Sequence, residues 1–166
     1  MWKLGLFFLL FCGISNSFGQ SGEKDRLKPK KIIETPTCES NMTELGFLNQ
    51  YSKGNEFVLI ISHTGQNEKK YFGERRLYNA KIFLTKGFVS INRTPESIII
   101  AQGERVSQKG YLDFFVDGIL ELRIFFDKNQ DFFLGTCVLD YPYEKPCSSA
   151  YDKLFYPCKG AKGRIR

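Results

Sequence analysis

The chain has one histidine, no Cys-x-x-Cys pair and no uncharged apolar run long enough to cross a bilayer. Each shortage closes off a class of function. A Ser-His-Asp or Cys-His catalytic arrangement would have to be built on His63, which follows the apolar run Val58 to Ser62 beside Thr64-Gly65, a setting that suits a turn residue. The same scarcity leaves no usual zinc ligand set. Neither a Walker motif nor a dinucleotide fingerprint is present, and Gly110 and Gly118 read as turn glycines. No pattern singles out the paired carboxylates that sugar hydrolysis uses. The expectation is a protein that is not an enzyme and carries no metal or cofactor.

What is present at the N-terminus is a basic lead from Met1 to Lys3, an apolar run from Leu4 to Ile14 and small residues from Ser15 to Gly19. That order is the layout of a secretory signal peptide. Its apolar run is about half of what a spanning helix needs. Residues 1–19 are therefore expected to be removed, leaving a secreted, extracellular protein of one domain. Of the five cysteines, Cys12 lies in the signal. Cys38, Cys137, Cys147 and Cys158 remain and are expected to form two disulfides. Cys38 with Cys137 and Cys147 with Cys158 is the favoured pairing of the three that four cysteines allow. Asn41-Met-Thr43 and Asn92-Arg-Thr94 are N-glycosylation triplets, with Pro95 expected to hinder the second.

The net charge of +6 is concentrated at the ends. Bases outnumber acids from Glu23 to Lys31 and again from Lys145 to Arg166. Basic terminal blocks of this kind attract anionic partners, which outside a cell means sulfated glycans or lipid head groups; nothing matches a nucleic-acid module. Residues 20–36 read as a flexible basic leader, 37–158 as a single β-rich domain and 159–166 as a disordered basic tail.

Within the domain, Phe57 to Ser62, Leu77 to Leu84, Phe88 to Asn92 and Ser97 to Ala101 are short apolar and β-branched runs separated by turn residues. The spacing predicts an all-β fold, an antiparallel β-sandwich or partly open barrel, with at most one short helix over Met42 to Tyr51 and a disulfide-stapled C-terminal tail. The run from Tyr111 to Phe126 predicts a hairpin around Asp117-Gly118. A loop of Val116-Asp-Gly118 would pair Phe114 with Leu120 and Leu112 with Leu122, keeping one face apolar at the cost of setting Asp113 against Glu121. A further strand is expected from Asp131 to Asp140.

The intervening turn offers Asp127, Asn129 and Asp131 at alternate positions, but Phe132 and Val138 stand where a calcium loop of the EF-hand type needs glycine and glutamate. The sixteen phenylalanines and eight tyrosines are more rings than one core readily uses. Phe115, Phe125 and Phe132 fall opposite the main apolar row and are the candidate ligand-binding residues. Leu122-Arg-Ile-Phe-Phe-Asp127 followed by Phe133-Leu-Gly-Thr-Cys137 resembles the last hairpin of MD-2-related lipid-recognition domains, secreted β-sandwiches that hold acyl chains between their sheets. That family has additional cysteines earlier in its chains and ends near this hairpin, whereas here a cysteine-bearing tail follows. Two functions are thus expected as alternatives: an extracellular module binding a protein or an anionic glycan, or a carrier for a lipid or other apolar molecule between two sheets.

Overall fold

The computed structural model describes residues 26–51, 56–86, 93–132 and 134. In chain order the elements are β1 (Lys31–Ile33), α1 (Cys38–Tyr51), β2 (Val58–His63), α2 (Tyr71–Lys86), a 3-10 turn (Pro95–Ser97), β3 (Ile98–Gln102), β4 (Tyr111–Val116) and β5 (Ile119–Phe125). The strands form one mixed sheet in the order β1-β5-β4-β2-β3. Pairing is parallel for β1 with β5 and for β2 with β3, and antiparallel for β2 with β4 and β4 with β5. The described residues form this mixed sheet with two helices, neither a sandwich nor a closed barrel, which corrects the all-β expectation. β1 lies inside the segment read as leader.

The segment Leu77 to Leu84, expected as a strand, is the middle of α2. A parallel pair such as β2 and β3 requires a crossover connection, and α2 supplies it. Its buried positions Phe72, Gly73, Arg76, Leu77, Asn79, Ala80, Phe83 and Leu84 follow a helical period. Two of them are polar, which hides that period in a count of apolar residues. Gly73 is needed because a Cβ there would stand 2.8 Å from Thr64 and 3.0 Å from Ser62, so glycine lets α2 settle onto the end of β2. In α1, Thr37 and Ser40 cap the helix reciprocally: Ser40 N–H donates to Thr37 Oγ1 at 3.1 Å and Thr37 N–H to Ser40 Oγ at 2.9 Å.

Both helices share one core with one face of the sheet. Leu45 and Leu48 of α1 and Leu77, Ala80, Phe83 and Leu84 of α2 pack with Val58, Ile60, Ile98, Leu112, Phe114, Leu122 and Ile124. Burying each large apolar side chain contributes about 1.5–3 kcal/mol, so this layer carries the fold. Leu59, Ile61 and Phe115 point to the opposite face, as does Ile99, 52% exposed on the edge strand β3.

The β4–β5 hairpin corrects the expected register: Phe114 does not pair with Leu120, nor Leu112 with Leu122, and Leu120 lies opposite Phe115. Asp117 and Gly118 form a two-residue turn with φ of 48° and 77°, and a bulge between Phe114 and Phe115 then shifts the register by one. Phe114 consequently pairs with Leu122 and Leu112 with Ile124. Asp113 meets Arg123 rather than Glu121, with Nε and Nη2 at 2.6 and 2.7 Å from its two carboxylate oxygens. A predicted repulsion is replaced by a bidentate pair. Of the strand expected over Asp131 to Asp140, Asp131, Phe132 and Leu134 are described and none is in a strand. The remainder of that run and the run Phe88 to Asn92 lie outside the described residues.

Candidate functional site

A cleft of ≈ 610 Å³ opens where α1 faces the turn between β4 and β5. Leu48, Val116, Ile119 and Leu122 supply apolar lining, and Phe47 joins them at 42% exposure. Lys30, Lys31, Glu44, Glu56, Asp117 and Glu121 supply charge, four carboxylates against two ammonium groups. Lys30 Nζ lies 2.6 Å from Glu121 and Lys31 Nζ 2.6 Å from Glu44, so the short β1 segment is tied to both β5 and α1. The turn is anchored by Asp117 N–H donating to the Phe57 carbonyl at 3.3 Å. Behind it Arg93, 3% exposed, donates from Nε to Asn49 Oδ1 at 2.8 Å and from Nη1 to the Glu56 carbonyl at 2.7 Å. Burial draws the Arg93 guanidinium below its ordinary pKa, against the opposing pull of the Glu56 and Asp117 carboxylates. The cleft therefore has a firm frame, an apolar lining and a negative balance.

The other end of the sheet is organised by a buried ion pair. Arg76 is fully buried and sends Nη2 to Glu68 Oε1 at 2.6 Å and Nη1 to Oε2 at 3.1 Å. Its Nε and Nη2 also donate to the Gln130 carbonyl at 2.9 and 2.7 Å, and its guanidinium lies 4.4 Å from the centre of the Phe126 ring. Glu68 accepts two more bonds, from Gly65 N–H at 2.7 Å and Asn129 N–H at 3.0 Å. Burial raises the Glu68 pKa, but the Arg76 and backbone hydrogen bonds outweigh it and hold the carboxyl below its usual value. Gly110 must be glycine here, since a Cβ would fall 2.3 Å from Glu68 Oε2 and 2.9 Å from the His63 carbonyl.

The three rings expected to bind a ligand do not come together. Phe132 is fully buried, packed against Phe126 at 5.4 Å and Phe114 at 6.4 Å between ring centres, and its carbonyl accepts from Asn79 Nδ2 at 2.7 Å. It is core, because α2 draws its backbone inward. Phe115 and Phe125 are half-buried at opposite ends of the hairpin, Phe115 opposite Leu120 and Phe125 edge-on to Tyr111 at 5.5 Å. That places them about 13 Å apart along the sheet. His63, expected in a turn, is the last residue of β2, paired with Tyr111; its ring stacks on Tyr111 at 4.6 Å with Nδ1 3.0 Å from the Glu104 carbonyl. Burial raises the Tyr111 pKa, with Arg123 opposing.

Asn41 is 5% exposed within α1, so this packing leaves its side chain little room for a glycan. Asn92 lies outside the described residues, as do Cys137, Cys147 and Cys158; Cys38 opens α1. Asp127 pairs with Lys109 at 2.6 Å and Asp131 with Arg75 at 2.9 Å, while Asn129 takes a positive φ of 59°. The alternating acids thus serve the turn. Among the described residues there is no group of three His, Cys, Asp or Glu side chains able to hold a metal, and no helix long and apolar enough to cross a membrane.

Phe47, Lys30 and Lys31 were not expected as residues of one site, the two lysines being read as a dibasic pair in the leader. Phe47 sits inside an expected helix and the lysines inside an expected leader, and only the folding of β1 beside β5 brings them to one cleft. Comparison with known protein families, curated proteins and solved structures yields no match.

Proposed function

We propose that this chain is a non-enzymatic extracellular binding module that takes an extended segment of a partner protein into the cleft between α1 and the β4–β5 turn. The ≈ 610 Å³ cleft carries the reading, being of the size that ligand sites use and having apolar lining beside charge. The excess of carboxylates favours a segment in which a large apolar side chain is flanked by lysine or arginine. A buried aromatic or aliphatic anchor with a polar surround is the usual anatomy of such contacts. The extracellular assignment rests on the order of basic, apolar and small residues over Met1 to Gly19.

Storage of an acyl chain between sheets is not retained, because the strands among the described residues form a single sheet. A lipid would also meet six charged residues around this cleft. Selection of displayed random peptides on the secreted protein, with a fluorescent fatty acid titrated in parallel, tests the reading. Peptides combining an aromatic or aliphatic residue with a base should be enriched, and Phe47→Glu with Ile119→Glu should weaken them at least about tenfold, the loss of an anchor pair. Peptides that bind the double variant equally well, or a fatty acid that binds in their place, would overturn it.

A further inference from the structure

A second crevice, ≈ 190 Å³, lies at the end of the sheet opposite the cleft, outside the C-terminal ends of the parallel strands β2 and β3. In open sheets with parallel strands this is where ligands characteristically bind. The loop Gly65 to Glu68, the loop Ser107 to Gly110 and the turn residue Lys128 line it. These three pieces are held in place from behind. Glu68 links Gly65, Arg76 and Asn129, while Arg105 Nη1 donates to the carbonyls of Gly65, Gln66 and Glu68 at 3.3, 3.0 and 3.1 Å. Val106 N–H donates to the Thr64 carbonyl at 3.0 Å, and Phe126 N–H to the Gly110 carbonyl at 2.8 Å. The lining is therefore preorganised, which lowers the entropic cost of binding.

The charge of the lining is positive on balance, two lysines against one carboxylate. The carboxylate in it, Glu68, is already matched by Arg76. Lys109 and Lys128 bring positive charge, and Ser107, Gln66 and Asn67 bring hydroxyl and amide donors. The nearby Asp127 is bound to Lys109, but both side chains are largely exposed, and an exposed pair of this kind exchanges partners at little cost. A space of this volume admits a group of a few heavy atoms rather than a whole sugar ring and its neighbours.

We propose that this crevice binds a tetrahedral oxyanion, a sulfate or phosphate group, with Lys109 and Lys128 as its charge partners and Ser107, Gln66 and Asn67 orienting it. The group can come from a sulfated glycan chain or from free phosphate, and the two sources are separable. The site is independent of the peptide cleft, so failure of either reading leaves the other standing.

The experiment titrates the full secreted chain with a heparin-derived hexasaccharide and, separately, with inorganic phosphate. The readouts are affinity and the amide NMR signals of Gly65 and Gly110. Lys109→Gln with Lys128→Gln should weaken the hexasaccharide about tenfold or more and lower the salt dependence of binding by about one to two ions. Lys81→Gln with Lys86→Gln removes the same charge in the C-terminal half of α2, outside both the cleft and the crevice, and should change affinity less than about twofold if the effect is local. Shifts at Gly65 and Gly110 with phosphate but no hexasaccharide binding would support the site with free phosphate as its source. Equal losses in both double variants, or no shift at either glycine with either probe, would overturn it.

Discussion

Replacing Arg76 by methionine would leave the Glu68 carboxylate buried with its principal partner gone. In the native protein that carboxylate receives two bonds from Arg76 and one each from Gly65 and Asn129. Breaking a buried pair by removing one member costs about 3–5 kcal/mol. Here the two remaining backbone donors hold the loss towards the lower figure, about 3 kcal/mol, while the bonds from Arg76 to the Gln130 carbonyl vanish as well. Glu68→Gln removes the charge but keeps an acceptor, so the double variant should be less unstable than the sum of the singles, with a coupling of about 1–3 kcal/mol. Urea unfolding followed by circular dichroism measures all three. The pH dependence adds an independent check. The folded carboxyl of Glu68 titrates below its unfolded value, so its contribution is full above the ordinary carboxylate range and disappears as pH falls through the lowered native value. Arg76→Met removes the largest opposition to burial and brings the folded carboxyl back up, so this group's loss on acidification should shrink and the stability gap between native and variant protein should narrow as pH falls. A loss under about 1 kcal/mol, strict additivity, or a gap that stays constant with acid would refute the assignment of this pair as the tie between the Gly65 to Glu68 loop and the turn at Asn129 and Gln130.

Phe132→Ala should destabilise the fold by about 3–5 kcal/mol, as emptying a packed aromatic site does, whereas the half-buried Phe115→Ala should cost distinctly less; chemical unfolding compares them directly. Thr37→Ala removes one half of the reciprocal cap and should cost about 1 kcal/mol, read as a lowered melting temperature and faster hydrogen exchange in the first turn of α1. Gly110→Ala forces a methyl against Glu68 Oε2 and the His63 carbonyl and should cost about 1–3 kcal/mol with the native register otherwise kept. Gly118→Ala meets no neighbour, so its penalty should come from the positive φ alone, about 1 kcal/mol in the same assay.

The apolar row Leu112, Phe114, Leu122 and Ile124 was legible as period-two alternation and lies in the core, whereas Leu120, expected opposite Phe114, is buried opposite Phe115. The position of the turn at Asp117-Gly118 was legible because so few residues adopt positive φ readily, but its length was not: a two-residue turn stands where a three-residue loop was expected. The short helix was legible from Met42 onward, though its true start depends on the Thr37 and Ser40 cap. Strands β2 and β3 also fall within a residue or two of the expected runs. These features depend on neighbours close in sequence, and the residues alone determine them.

The sandwich expectation failed at α2. Arg76 and Asn79 sit on its buried face because Glu68, the Gln130 carbonyl and the Phe132 carbonyl are there to receive them. Two of those acceptors lie more than fifty residues away along the chain, so nothing local marks the helix as able to bury a cation. The bulge that sets Asp113 against Arg123 is likewise a compromise between a two-residue turn and a sheet face that must stay apolar. Both sites proposed above have the same origin: the cleft needs β1 paired with β5, and the crevice needs two loops tied by one ion pair and a third held by the bond from Phe126 N–H to the Gly110 carbonyl. Sequence determined the strands, the turn and the chemistry of each side chain. Only tertiary structure decided which of them meet, because burial of polar groups is settled by partners that the chain brings in from afar.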